Sequence, residues 1–211
     1  MSLYPISVNL ENRLCLVVGG GKVAERKIKA LLKAGASVRL ISPEATDGLK
    51  ALAAEGKLDW RQETYDTGGT DSLGGVFLIM ACTNNRAVNA ALTRNAQAQQ
   101  LLTLCADDPD AGNFVSAAQI TRGDLVLTVS TGGGSPTLAA VLRERLEAEF
   151  GPEWTQLVEM ISKQREFVKT NSDEAARKAA VRRVLDDAEV RRLLLAGSNL
   201  EAEALIRTCL S

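Results

Sequence analysis

The chain has 211 residues, 45% of them apolar, with 25 basic and 26 acidic side chains and a formal charge of −1. That composition supports a buried core and excludes a disordered chain, and a charge so close to neutral provides no broad basic face for nucleic acid. The sequence contains no histidine, which removes the commonest general base, the commonest zinc ligand and every His-dependent hydrolytic triad. Acid–base chemistry is left to Asp, Glu, Lys, Tyr or Cys.

The first residues, MSLYPISVNLENR, lack the basic segment and apolar stretch of a secretory leader. The longest apolar run, Val76 to Cys82, is too short to cross a bilayer. Cysteines 15, 82, 105 and 209 are scattered without a C-x-x-C pair, and three lie in or beside apolar runs. Free thiols in a reducing cytoplasm fit this usage, with no membrane and no metal site expected.

In chain order, Leu14–Val18, Ser37–Ile41, Val76–Met80, Leu101–Cys105 and Leu125–Val129 read as buried strands, with Leu58–Trp60 as a further short one. Val23–Lys33, Glu44–Ala54 and Ala87–Ala98 between them read as helices. This alternation predicts a parallel α/β sheet covered on both faces. Beyond Pro136 the texture becomes helical: Leu138–Glu149, Trp154–Phe167, Asp173–Leu185, Ala188–Leu195 and Leu200–Cys209, with Leu157, Ile161 and Val168 at near-helical spacing. Gly151-Pro152 marks the expected start of a helical unit.

Directly after the first strand, Gly19-Gly20-Gly21-Lys22-Val23-Ala24 matches G-x-G-x-x-G/A and opens a helix. In a dinucleotide site the first glycine makes the tight turn, the next lets backbone approach the pyrophosphate, and a small residue lets helix and strand pack closely. The phosphates then meet the free amides of the helix N-terminus. A plain strand-to-helix turn explains the glycines alone. A P-loop does not fit, because Lys22 is followed by Val23.

An acidic residue holding the adenine ribose is expected at the end of the second strand, where Ser42-Pro43-Glu44 stands. Glu44 favours NAD over NADP, whereas Ser42 and Pro43 also fit as N-cap and first helical residue. After the fourth strand, Thr83 lies on the cofactor edge, and Asn84 or Asn85 caps the next helix or touches the cofactor. Two further clusters follow strand ends: Asp107-Asp108-Pro109, and Ser130-Thr131-Gly132-Gly133-Gly134-Ser135-Pro136. Paired carboxylates can include one with a raised pKa suited to proton transfer, although Asp107 and Asp108 also fit a turn-and-cap. The second cluster offers hydroxyls and amides at a helix N-terminus, an anion receptor or simply a cap.

Gly19-Gly-Gly-Lys-Val-Ala-Glu-Arg-Lys27, then Asp107-Asp108 with Phe114, then Val129-Ser-Thr-Gly-Gly-Gly-Ser-Pro136 resembles the precorrin-2 dehydrogenase family, the dehydrogenase module of sirohaem synthases. The likeness runs through the whole chain. It implies a Rossmann-type NAD-binding domain over residues 1–112, a dimerisation segment over 113–150 and a small all-helical domain over 151–211. It implies a cytoplasmic homodimer that oxidises the tetrapyrrole precorrin-2 to sirohydrochlorin with NAD as hydride acceptor, in some members followed by Fe²⁺ insertion.

The same resemblance places the essential aspartate on Asp107, with Asp108 the alternative proton acceptor. It puts cofactor contacts on Lys22 and Val23 after the glycines and on Pro43 and Glu44, which join Gly19, Gly20, Gly21, Ser42 and Thr83 from the strand-end reading as the expected cofactor-binding residues. Substrate contacts fall on Ser130, Thr131, Gly132, Gly133 and Ser135, with Thr131 at a position that is a phosphorylated serine in one branch. Lys22, Arg122 and Arg143 could also meet substrate carboxylates. Two readings stand beside it: a non-catalytic NAD-sensing regulatory module, and a dedicated sirohydrochlorin chelatase.

Overall fold

The computed structural model describes residues 3–164 and 173–210. They fold as two compact units, one up to Ser116 and one from Ala117 onward.

The first unit is built on five strands, β1 (Leu14–Val18), β2 (Ser37–Ile41), β3 (Asp59–Arg61), β4 (Val76–Ala81) and β5 (Leu102–Cys105), with helices α1 (Lys22–Lys33), α2 (Asp47–Ala54) and α3 (Arg86–Ala98). The strands lie in the order β3-β2-β1-β4-β5 and every pairing is parallel. Strand order therefore reverses between β1 and β4, and the carboxyl ends of those two strands define the crevice where ligands bind in open α/β sheets.

Side-chain alternation explains why β1 reads as a continuous apolar run. Cys15 and Val17 face a core with Ala24, Ile28 and Leu31 of α1 and Leu49 of α2. Leu16 and Val18 face the opposite core with Leu92 and Ala96 of α3. Both faces are dry, so neither needs polar residues. Burying each large side chain contributes about 1.5–3 kcal/mol.

Two expectations need correction. Leu125–Val129 does not extend the parallel sheet. As β7 it pairs antiparallel with β6 (Ala118–Arg122), a strand that the sequence reading missed, in a separate two-stranded ribbon. Its residues alternate between half-buried and exposed, as expected for a strand covered on one face. The helix expected from Glu44 begins at Asp47, with Thr46 rather than Ser42 as N-cap, its hydroxyl accepting from the Leu49 amide. Ser42 is instead buried at the end of β2, and its hydroxyl donates to the Glu44 carbonyl at 2.6 Å.

The second unit joins the ribbon to α4 (Pro136–Glu149), α5 (Trp154–Lys163), α6 (Glu174–Asp186), α7 (Ala188–Leu195) and α8 (Asn199–Leu210). The far end of the helix expected over Trp154–Phe167, and Val168, lie outside the described residues. Leu157, Met160, Val184, Val190, Leu194 and Ile206 form the core of this unit. Arg122 ties ribbon to helices by donating from Nε to the carbonyls of Phe150 and Gly151 at 2.9 and 3.0 Å. Among the described residues no helix is long and apolar enough to cross a membrane.

Candidate active site

The three glycines after β1 carry different tasks. Gly19 has φ +110°, and a Cβ there would stand 2.5 Å from the Cys82 carbonyl oxygen and 2.9 Å from the Thr83 nitrogen. It lets the loops after β1 and β4 touch at the reversal point. A Cβ on Gly20 would fall on the Glu44 carbonyl oxygen, in the loop after β2, which is also held by the Thr46 amide donating to the Gly20 carbonyl at 3.0 Å. Gly21, the N-cap of α1, has ordinary extended backbone and nothing within 4 Å of where a Cβ would stand. The turn needs glycine at the first two positions for its own packing. At the third, the missing side chain leaves open space at a helix N-terminus.

The neighbouring residues complete this mouth. Lys22 and Val23 are exposed in the first turn of α1, and Ala24 is fully buried against the sheet. Thr46 donates to Glu25 Oε2 at 2.7 Å, and Lys29 donates to Glu25 Oε1 at 2.6 Å. These bonds hold the Glu25 carboxyl below its ordinary range, so it is a structural clasp between α1 and the 42–46 loop. Pro43 and Glu44 are exposed on that loop.

The other half of the edge is organised by Asn89, which the sequence reading did not single out. It is 1% exposed on α3. Its Nδ2 donates to Asp107 Oδ1 at 2.6 Å and to the Thr83 carbonyl at 3.0 Å. Its Oδ1 accepts from the Thr83 hydroxyl at 2.7 Å and the Thr83 amide at 3.2 Å. The signal available beforehand was an amide on the same helical stripe as Leu92 and Ala96, where a buried polar side chain must find partners. Asn85, not Asn84, is the N-cap of α3, accepting from the Ala87 and Val88 amides.

Asp107 lies just past the end of β5, its side chain 29% exposed, with Arg86 Nε 3.8 Å from Oδ2. The Cys105 thiol donates to Oδ1 at 3.2 Å. Burial pushes the carboxyl up, but the bonds from Cys105, Asn89 and its own amide, with the Arg86 charge, outweigh it, and the net pKa is lowered. The expected raised carboxylate is therefore not Asp107; hydrogen bonds to the charged form win over desolvation. Cys82, facing Lys27, is pushed up to about 11 by burial, and burial lowers Lys27. Asn113 seals the outer edge of β5: its side chain accepts from the Thr103 amide at 2.8 Å and donates to the Leu101 carbonyl at 2.8 Å.

The serine- and glycine-rich loop belongs to the second unit and is largely closed on itself. Ser130 Oγ accepts from the Gly132 amide, Thr131 Oγ1 from the Ser135 amide, and the Thr131 carbonyl from the Gly134 amide. Ser135 caps α4 by accepting from the Leu138 amide at 3.2 Å. The amide receptor expected here is mostly spent internally, because Gly132 and Gly133 at φ +61° and +86° fold the loop back. Among the described residues, no group of three or more His, Cys, Asp or Glu is placed to hold a metal.

A family model described as "Putative NAD(P)-binding" matches residues 6–118. One for the central part of sirohaem biosynthesis proteins matches 122–149. A siroheme synthase of Xylella fastidiosa is 34% identical over 210 residues, which is 100% of this chain and 44% of that protein. A siroheme synthase of Neisseria meningitidis serogroup B is 40% identical over 169 residues, 80% of this chain and 34% of that protein. The chain thus spans less than half the length of these curated relatives. The solved structure of SirC, precorrin-2 dehydrogenase, matches with a TM-score of 0.73 and 28% identity over 98% of this chain and 100% of that one.

Proposed function

The chain belongs to this NAD(P)-binding family, and on that footing we propose that it is an NAD-dependent precorrin-2 dehydrogenase, forming sirohydrochlorin in sirohaem biosynthesis. The observation that carries the reading is the single edge of the first unit where the glycine turn packs on the Cys82–Thr83 backbone and Asn89 joins Thr83 to Asp107.

The residues present fit a dinucleotide: Gly21 leaves open space where a Cβ would fill it, beside the free amides of α1. Gly19 to Val23 would hold the pyrophosphate, with Lys22 adding charge. Pro43 and Glu44, on the loop that Ser42 shapes, would take the adenine ribose, and the Glu44 carboxylate selects NAD by accepting from a ribose hydroxyl and repelling a phosphate there. Thr83 lines the nicotinamide side. The bound cofactor supplies the hydride acceptor.

Oxidation of precorrin-2 removes one hydride and one proton, giving sirohydrochlorin, NADH and H⁺. Asp107 takes the proton; its depressed pKa keeps it ionised at neutral pH and therefore able to accept. Ser130, Thr131, Gly132, Gly133 and Ser135 of the second unit receive substrate, through their hydroxyls and the exposed glycine backbone. Residues 113–150 serve as the dimerisation segment of a cytoplasmic homodimer. Val126, Leu138 and Val141, 52%, 50% and 43% exposed, support that assignment, since apolar side chains left bare call for a partner.

The test is anaerobic incubation of the protein with precorrin-2 and NAD⁺, following absorbance of NADH and of the oxidised macrocycle. NADH formation is expected. Its absence at every substrate level, with nucleotide still bound, overturns the dehydrogenase in favour of a sensing module. A further spectral change that needs both Fe²⁺ and protein assigns chelation as well. Asp107→Ala should lose at least ~10²-fold in turnover with NAD⁺ binding kept; near-normal turnover removes Asp107 as the base and leaves Asp108 or simple positioning.

A further inference from the structure

Asn89 has a role beyond packing. Its amide has two N–H donors and two acceptor lone pairs, and all four are used. Three bonds go to one residue, Thr83, at its amide, hydroxyl and carbonyl, and the fourth to Asp107 Oδ1. A buried amide needs partners, but nothing about burial requires that they sit on two loops from different strands. Here one side chain joins the loop after β4 to the carboxylate after β5.

We propose that Asn89 is the positioning residue of this site. It fixes the Thr83 loop and Asp107 in one mutual geometry and occupies Oδ1, so that Oδ2, the oxygen on the Arg86 side, receives the proton. The inference rests on the base role proposed for Asp107. The geometry makes it specific. Oδ1 already takes the Asn89 amide at 2.6 Å and the Cys105 thiol at 3.2 Å, whereas Arg86 Nε stands 3.8 Å from Oδ2, beyond hydrogen-bond reach, on a side chain 89% exposed. Arg86 can swing away when substrate arrives; Asn89, enclosed in α3, cannot.

Asn89 also contributes to how readily the base binds a proton. A donor to the charged form of a carboxylate favours that form, so removing it must raise the proton affinity of Asp107. The groups facing Asp107 are Arg86 and Asn89 from α3, Cys105 from β5 and Cys82 from the end of β4, with Lys27 of α1 facing Cys82. Cys82 is held at about 11 and Cys105 is raised by burial, so both stay thiols through neutrality. Guanidinium and ammonium groups keep their charge in acid. Below neutrality, Asp107 is the member of this cluster that titrates.

The experiment is a pH titration of the carboxyl carbons in ¹³C-Asp-labelled protein, with the Asp107 signal assigned from Asp107→Asn. Asn89→Asp keeps an oxygen for the Thr83 amide and hydroxyl while replacing the donor to Asp107 by a second carboxylate. Asn89→Leu keeps the branched shape and removes all four bonds, and it takes over the test if Asn89→Asp fails to fold. In either variant the proton affinity at Asp107 is expected to rise about 10-fold or more, the scale of a hydrogen bond to a charged group. In turnover, the acid limb of kcat should move to higher pH by the same factor. A folded variant whose Asp107 titrates as in the parent protein overturns the inference. Parent protein that forms no NADH overturns the proposed function instead, and the titration still decides whether Asn89 controls Asp107.

Discussion

The three glycines after β1 make a prediction in which stability and binding separate. Gly19→Ala puts a methyl group at φ +110° and 2.5 Å from the Cys82 carbonyl oxygen. Forcing a non-glycine residue into that backbone region costs about 1–3 kcal/mol. The collision is with backbone just past the end of β4, at Cys82 and Thr83, which adds about 1–3 kcal/mol of overpacking. The expected loss is about 2–6 kcal/mol, which for a unit of this size lowers Tm by roughly 10 °C or more.

Gly20→Ala collides with the Glu44 carbonyl oxygen and comes within 2.9 Å of Ala45 Cα and Ser42 Oγ, without the positive φ. It should cost about 1–3 kcal/mol by displacing the 42–46 loop. Gly21→Ala meets nothing within 4 Å on extended backbone. There the entropy gain of about 0.4–1 kcal/mol from stiffening the unfolded chain offsets the loss of a tolerated N-cap glycine, so stability should hold within about 0.5 kcal/mol. Its effect should fall on NAD⁺ affinity, with a loss of about 10-fold or more, because the methyl occupies the space left for the phosphates. Thermal melts and calorimetric titration of the three variants decide it. A Gly21→Ala protein that binds NAD⁺ like the parent, or a Gly19→Ala protein that melts like the parent, would refute the division of labour.

Glu44→Arg should shift the preference from NAD⁺ toward NADP⁺ by about 10-fold or more, since it exchanges a repelled phosphate for a charge-assisted one; unchanged relative affinities would remove Glu44 from the ribose. Cys15, fully buried in β1, is pushed from 9.0 to about 11 by burial. The fold therefore holds this proton more tightly than the unfolded chain does. Its stabilisation is complete below about pH 9 and disappears as pH rises toward about 11, a loss of roughly 2–3 kcal/mol. Urea melts across that window should show the decline and a shallower one in Cys15→Val; equal slopes would contradict it.

Much of the first unit could be read from the residues because each signal was local. Runs such as Leu14–Val18 and Ser37–Ile41 carry their burial in their own composition, and the glycine turn between strand and helix is legible from its residues alone. What could not be read depended on partners far apart in sequence. Leu125–Val129 is as apolar as the sheet strands, and only its pairing with Ala118–Arg122 makes it one arm of a ribbon. Ser42-Pro43 has good helix-start chemistry, yet Thr46 caps the helix because the Gly20 carbonyl and Glu25 recruit its amide and hydroxyl. Asn89 meets Asp107 across 18 positions of sequence. The pKa direction of Asp107 was only partly legible: Cys105 stands two residues away, but Asn89 and Arg86, which also lower it, come from α3.

On the proposed reading, that direction bears on the order of chemical events. A carboxylate held below its ordinary range is always ready to accept a proton at neutral pH, but it has little pull on hydrogen attached to a neutral ring. After hydride leaves, the ring is cationic and its proton is acidic, so a weak acceptor suffices and readily passes the proton to water. On the proposed reading, Asn89 and Cys105 tune Asp107 to act second. Isotope effects separate the two orders: in a stepwise reaction, the substrate deuterium effect on kcat/KM should shrink in D₂O, because slowing one step masks the other. An effect of the same size in both solvents would mean that hydride and proton leave together, and a base of lowered affinity would then be the wrong group to assist.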